Sequence, residues 1–247
     1  MEEELKKLVN ISSTKYSTTF YSESNKSDFY IDFNFPIELD NNLNYELGLL
    51  WFSTYNTIYN ITNENNKYTI TDSKGTTTKQ ITPGAYKTIL SLNDVLKPEI
   101  EITVDEPTSK CRMNIKTGYS LKFLDKSFFH NMLGFSVKGG LGEALYKEGK
   151  HLSEDIVRIT NINSINIYVD CVKGSYINGC SSNIVYSFPS FTVPSGYKLF
   201  ERQIFPIYYP INRKHLNKIR IKILDDQDKI IDFNGEKIII CLHLKQV

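Results

Sequence analysis

A chain of 247 residues with 29 basic and 28 acidic side chains carries a formal net charge of +1, which excludes a strong electrostatic footprint for nucleic acid and a strong pull toward an anionic membrane. At this length folding buries roughly 70–75% of the unfolded chain's surface, so a core without metals or disulfides is within reach, as one large β-sandwich or as two small domains. The 16 Tyr and 14 Phe favour pleated, half-buried surfaces.

Residues 1–27 read as an arm. Leu5, Leu8 and Val9 could line a short helix, but Ser12 to Ser27 is rich in Ser, Thr, Tyr and Asn and keeps no period. The opening Glu-Glu-Glu and the lack of a 7–15-residue apolar run argue against a signal peptide, and no stretch reaches about 20 apolar residues, so no transmembrane helix is expected. The protein is therefore expected to be made and kept inside the cell, and the Asn-x-Ser/Thr triplets at Asn10, Asn25 and Asn60 are read as chance matches.

From Asp28 the chain alternates: Phe29, Ile31, Phe33 and Phe35 share one face, and Pro36 closes the strand. Leu47, Leu49 and Trp51 open a second strand that continues toward Tyr55. Tyr68 and Ile70 lead into Asp72-Ser73-Lys74-Gly75, a hairpin-type turn. After Pro83-Gly84, Tyr86 to Leu96 reads as a helix stopped by Pro98. Strands follow at Ile100 to Val104 and Met113 to Phe123, and Asp125-Lys126-Ser127 starts a second short helix ended by Gly134. Lys138 to Lys150, glycine-rich with few apolar anchors, reads as a surface loop.

The remainder reads as short strands and turns. Ile165, Ile167, Val169 and Cys171 alternate, as do Ile219, Ile221 and Ile223, and finally Ile238, Ile240, Leu242 and Leu244. Turns are expected at Asn178-Gly179, Pro194-Ser195-Gly196, Asp225 to Asp228 and Asn234-Gly235. Roughly nine or ten strands with two short helices give an all-β class, an antiparallel β-sandwich. No Pro/Gly/Ser linker divides residues 28–247, so one compact unit is expected there.

Chemistry-bearing motifs are sparse. There is no GxxxxGK[ST], GxGxxG, HExxH or GxSxG, and no cofactor is implied. Cys111, Cys171, Cys180 and Cys241 lack metal-ligand spacing and are expected as buried free thiols. An EF-hand reading of Asp225 to Glu236 fails: started at Asp226, positions 5 and 6 are Ile230 and Ile231, and started at Asp225, positions 3 and 5 are Gln227 and Lys229. A hairpin turn fits better. His130, His151, His215 and His243 lie beside no nucleophile pattern, with His243 on the outward side of the last strand. Lys218, Arg220 and Lys222 share a strand face that is a solvated face, a subunit contact or, least suited for want of an aromatic RNA-binding motif, a nucleic-acid contact.

One further signal lies in the order of short motifs: Ile162-Asn163-Ser164-Ile165-Asn166-Ile167, Val172-Lys173-Gly174-Ser175-Tyr176-Ile177-Asn178-Gly179, Asn183 to Phe188, Val193-Pro194-Ser195-Gly196-Tyr197-Lys198, Tyr208-Tyr209-Pro210-Ile211-Asn212, and Asn234-Gly235-Glu236-Lys237-Ile238 to Lys245. Leu47 to Asn60, Ile81 to Tyr86 and Asn131-Met132-Leu133-Gly134-Phe135 fit the same succession. Over residues 28–247 this resembles the penton, or minor capsid, protein of Polinton/Maverick elements and the related adintoviruses; residues 1–27 and Lys138 to Lys150 do not take part. The resemblance implies a jelly-roll capsid subunit of a virion, forming homopentamers at icosahedral vertices beside a double-jelly-roll major capsid protein, assembled in the nucleus or cytoplasm of a host cell and not an enzyme. Closed rings join unlike patches rich in Tyr, Phe, Met and Arg. The candidate contacts are Gly174, Tyr176, Asn178 and Gly179 in one turn-rich stretch, Tyr208 and Tyr209 in the aromatic segment Phe205 to Pro210, and Arg213 and Arg220; core packing and loop-tip structure are the competing role for each. A carbohydrate- or receptor-binding sandwich is the alternative of a different class, and a β-rich hydrolase would need two convergent carboxylates or a nucleophile–base pair.

Overall fold

A computed structural model describes residues 15–21, 26–124, 129–135, 144–160, 162–190 and 192–247. The chain divides into two compact units, Met1–Ile58 with Ile162–Val247 and Tyr59–Asn161. This corrects the single unit expected over 28–247. The second unit is inserted between consecutive strands of the first, and no Pro/Gly/Ser-rich stretch marks the boundary.

In chain order the strands are β1 (Lys15–Tyr21), β2 (Asp28–Glu38) and β3 (Tyr45–Tyr55), then β4 (Lys67–Asp72), β5 (Gly75–Gln80), β6 (Ile100–Asp105), β7 (Lys110–Ile115), β8 (Ser120–Phe123), β9 (Ala144–Tyr146) and β10 (Gly149–Ile156) in the inserted unit. The first unit resumes with β11 (Ser164–Val169), β12 (Ser175–Ile177), β13 (Cys180–Ser182), β14 (Ile184–Pro189), β15 (Lys198–Arg202), β16 (Tyr208–Pro210), β17 (His215–Leu224) and β18 (Ile239–Gln246).

In the first unit one sheet runs β1-β18-β3-β15, with β16 also pairing β3, and the other runs β14-β11-β17-β2. Leaving aside the hairpin β12–β13 and short β16, one sheet holds the first, eighth, third and sixth strands and the other the fifth, fourth, seventh and second. That order is the antiparallel jelly roll. Alternation supplies the core: Ile165, Ile167 and Val169 from β11 and Ile219, Ile221 and Ile223 from β17 face Leu49 and Phe52 from β3 and Ile240, Leu242 and Leu244 from β18 in one buried cluster. Across the sheets Phe52 and Phe188 meet at 5.6 Å between ring centroids. Phe29 is buried while Phe35, expected on the same face, is exposed. The pairing of β17 with β2 shifts register between Leu216 and Lys218, which ends the alternation there.

The arm expected through residue 27 is corrected at β1, which pairs residue for residue with β18 from Lys15↔Lys245 to Tyr21↔Ile239. The Lys-Tyr-Ser-Thr-Thr-Phe-Tyr segment has the β-branched and aromatic content of an edge strand, and β18 supplies its ladder. The short helix through Leu5, Leu8 and Val9 lies outside the described residues.

The inserted unit has its own cluster, in which Tyr68, Ile102, Cys111, Met113, Leu121, Phe123 and Phe135 are buried. It carries a sheet β5-β4-β8-β9 and a sheet β10-β7-β6. The helix read over Tyr86 to Leu96 is shorter: a 3-10 turn Ile89–Leu92 followed by Asn93–Leu96. The Asn93 side chain donates to Ile102 O and accepts from Ile102 N, both at 2.6 Å, tying the turn to β6. The second helix is Phe129–Met132, and its start at Asp125-Lys126-Ser127 lies outside the described residues. The loop expected over Lys138 to Lys150 holds β9 and the start of β10, a correction; its glycine-rich part through residue 143 lies outside the described residues. Tyr146 makes the difference, packing edge-on against Phe123 and Phe135 at 5.6 and 5.2 Å.

Candidate functional site

The stretch singled out at Gly174 to Gly179 is a projecting hairpin. β12 and β13 pair Ser175↔Ser182 to Ile177↔Cys180, leaving Asn178-Gly179 as a two-residue turn. Both turn residues have positive φ, 50° and 80°, as a type I′ turn requires. The hairpin's root is stitched to the chain leaving β16: Lys173 N donates to Pro210 O at 2.9 Å, Asn212 N donates to Cys171 O at 2.9 Å, and Val172 bridges Ile211. A Cβ at Gly174 would stand 3.7 Å from Pro210 Cδ. Beyond this root the side chains point away from the subunit; Tyr176 is 71% exposed, and Ile177 and Cys180 are exposed with it.

Along the free edge of β3 the chain passes from β15, paired with Trp51 to Tyr55, to β16, paired with Glu46 to Gly48. Gly48 permits the second pairing, because a Cβ there would meet Ile207 O at 2.8 Å and Tyr208 Cδ1 at 2.9 Å. Between the two strands Gln203 N donates to Leu50 O at 3.0 Å and Gln203 Oε1 accepts from Ile207 N at 3.2 Å. This bend pushes Ile204 and Phe205 outward, 84% and 87% exposed. Ile204, with Trp51 and Phe200, whose rings lie 6.0 Å apart, borders a shallow depression of about 550 Å³ lined by Leu50, Trp51, Phe200, Arg202, Gln203, Ile204 and Pro206.

The two tyrosines expected as contacts in this segment are committed to their own subunit. Tyr208 OH shares a 2.7 Å hydrogen bond with His243 Nδ1, and Lys245 Nζ sits 4.0 Å over the Tyr208 ring while pairing with Glu46 at 2.9 Å. Tyr209 is half-buried against the sandwich core. His243 does face outward on β18, as its alternation predicts, yet Tyr208 covers it and leaves it buried. The contact-competent part of Phe205 to Pro210 is therefore its beginning.

Arg213 and Arg220 are likewise paired at home. Arg220 makes a two-pronged contact with Asp28, Nε to Oδ1 at 2.8 Å and Nη2 to Oδ2 at 2.7 Å, and Arg213 Nη2 meets Asp170 Oδ2 at 2.9 Å. Asp170 Oδ1 also accepts from Arg220 N at 2.9 Å. Lys218 meets Asp32 at 3.4 Å, Tyr30 lies under Lys218 and Arg220 at 4.4 and 5.2 Å, and Lys222 stands 5.1 Å over Tyr168. The basic stripe of β17 is thus answered by carboxylates and rings of its own sheet. The hydrogen bond from Arg220, more than its charge, holds the Asp28 carboxyl below the usual carboxylate range against the opposing effect of burial.

Elsewhere the polar groups serve the fold. Asp225 Oδ1 accepts from Gln227 N and Lys229 N, both at 2.8 Å, so the carboxylate tempting for a cation is the acceptor of a turn. Among the described residues no group of three or more His, Cys, Asp or Glu is placed to hold a metal ion, and no helix is long and apolar enough to cross a membrane. Cys111, Cys171 and Cys241 are buried free thiols as expected, and burial pushes Cys111 and Cys171 up to about 12. Cys180, expected to be buried, is exposed on β13 because the hairpin leaves the core.

No family model and no curated protein matches the sequence. Among solved structures the chain is similar to the selenomethionine-labelled mavirus penton protein, at 12% identity and a TM-score of 0.48, over 94% of this chain and 100% of that one.

The structure brings Gly174, Tyr176, Asn178 and Gly179 together, joins them through Pro210 to Tyr208 and Tyr209, and puts Arg220 on β17 of the other sheet and Arg213 in the connection leading into it. Sequence reasoning passed over Ile204, Phe200, Trp51 and Leu50. The signal was present in part: Gln203 to Asn212 contains no charged residue, and Pro206 prevents a regular strand there.

Proposed function

We propose that the chain is a non-catalytic structural subunit of an icosahedral capsid, placed at the vertex and assembling as a homopentamer, of the Polinton/Maverick or adintovirus-like penton type. The jelly-roll unit is the capsid domain, and a double-jelly-roll major capsid protein surrounds it in the shell. The carrying observation is the set of exposed apolar side chains in two groups, Tyr176 and Ile177 on the hairpin and Phe200, Ile204 and Phe205 along the β15 to β16 edge, on a jelly roll whose other sheet wears a ladder of ion pairs. Large apolar side chains left in water in a group mark a surface that works by contact. The ordered motifs from Ile162 to Lys245 support the penton type, and the absence of nucleophile–base motifs in the sequence leaves shape as the working property.

Light scattering and negative-stain microscopy test the reading. Purified protein, alone or mixed with its major capsid partner, is expected to give particles of five times the 28.5 kDa chain mass, seen as five-lobed rings. A chain that stays monomeric in both conditions refutes it.

A further inference from the structure

Resting on the ring reading above, we propose that the β12–β13 hairpin of one copy seats in the Trp51–Phe200 depression of the next, making these two patches the halves of a single self-contact. A ring closes only through a heterologous interface, where a patch on one copy meets a different patch on its neighbour. The first unit presents two such exposed apolar groups, the hairpin inside an uncharged stretch and the hole with Gln203, Ile204 and Pro206 of its lining in another. Gly174 to Tyr197 and Gln203 to Asn212 contain no Asp, Glu, Lys or Arg in a chain that is 23% charged. Depletion of charge with enrichment of aromatics is the compositional mark of an interface core.

The shapes match in kind. The hairpin is a knob: two strands roughly 4.8 Å apart, closed by a two-residue turn, presenting Tyr176 and Ile177. The depression is a shallow hollow of about 550 Å³ whose lining includes the apolar side chains of Leu50, Trp51, Phe200, Ile204 and Pro206. Polar groups match as well. Arg202 lines the hole with no ion pair among the described residues. The hairpin tip brings backbone carbonyls and no cation, so an arriving tip supplies acceptors without like-charge repulsion.

Native Cys180 provides the test. It is the exposed thiol of the set and sits on the hairpin opposite Ile177. Ile204→Cys at the rim of the hole and Phe205→Cys beside it, each made singly at a highly exposed position, supply a second thiol. Oxidation with copper phenanthroline is expected to give a non-reducing gel ladder ending at five chains, and Cys180→Ser in the same background is expected to remove it. Scattering on the same samples separates the two ideas. Pentamers with a Cys180-dependent ladder sustain the contact. Pentamers without a ladder in either variant overturn the contact and leave the vertex reading standing. A ladder ending at two chains overturns the contact as an isologous pairing. Absence of pentamers both alone and with the major capsid partner overturns the vertex reading and the contact together.

Discussion

Replacing Phe205 by Ser separates assembly from folding. The ring is 87% exposed in the single subunit, so its removal costs the fold little, within about 0.5 kcal/mol for such a surface position. If the side chain is covered in the assembled ring, each contact loses the burial of one Phe, about 2 kcal/mol, or about 30-fold in each contact's equilibrium constant. A ring of five makes five contacts in four association events. The concentration at half-assembly therefore rises as 30 to the power 5/4, about 70-fold. Sedimentation velocity over a dilution series reads that midpoint, and a thermal melt of the dilute monomer reads the fold. Phe52→Ala is the opposite case: Phe52 is fully buried between Phe188 and Phe233, and its truncation is expected to cost about 3–5 kcal/mol and lower the melt of the monomer. The reasoning is refuted if Phe205→Ser leaves the assembly midpoint within threefold of the parent, or if it melts like Phe52→Ala.

Gly134→Ala is expected to damage the inserted unit by more than about 2 kcal/mol, because φ is +78° and the new Cβ would stand 2.2 Å from Asp155 O. Buried Cys111 should then react at lower urea while the fluorescence midpoint of Trp51, in the jelly roll, holds; equal shifts in both readouts would contradict this. At pH 8 a thiol held near 12 is about 10⁻⁴ thiolate, so Cys111 and Cys171 should stay silent and a disulfide reagent should find one fast thiol per native chain, lost in Cys180→Ser. More than one fast thiol would mean that the core is open. Asp28 titrates below its ordinary 3.8 when folded, so its pairing with Arg220 stabilises above that value and fades as pH falls through the lowered one. The melting difference between the parent and Asp28→Asn should be full at pH 6 and shrink toward pH 2; a difference independent of pH counts against the pairing.

Local patterns carried much of the fold. Period-two alternation at Ile165 to Val169, Ile219 to Ile223 and Ile240 to Leu244 marked strands and the face each turns inward, because successive side chains on a pleat point to opposite sides. Asp72 to Gly75 and Asn178-Gly179 announced their turns through residues that tolerate positive φ or accept backbone hydrogen bonds. Part of the candidate surface was legible for the same reason: a turn with exposed Tyr176 beside an uncharged stretch is a local feature. The tie of Tyr208 to His243 and of Arg220 to Asp28 was not, since the partners are 35 and 192 residues apart.

By itself, then, the sequence determined the strand-forming character of the chain, the inward residues of β11, β17 and β18 and several of the turns. Tertiary structure decided which strands are neighbours, that residues 59–161 close a core of their own, that β1 joins β18, and that the bend after Gln203 leaves Phe205 in water. The reason is the range of the forces involved. Alternation and turn chemistry act over a few residues, whereas pairing, burial and ion-pair satisfaction depend on which distant segments meet, and that is settled only when the two sheets close over their shared side chains.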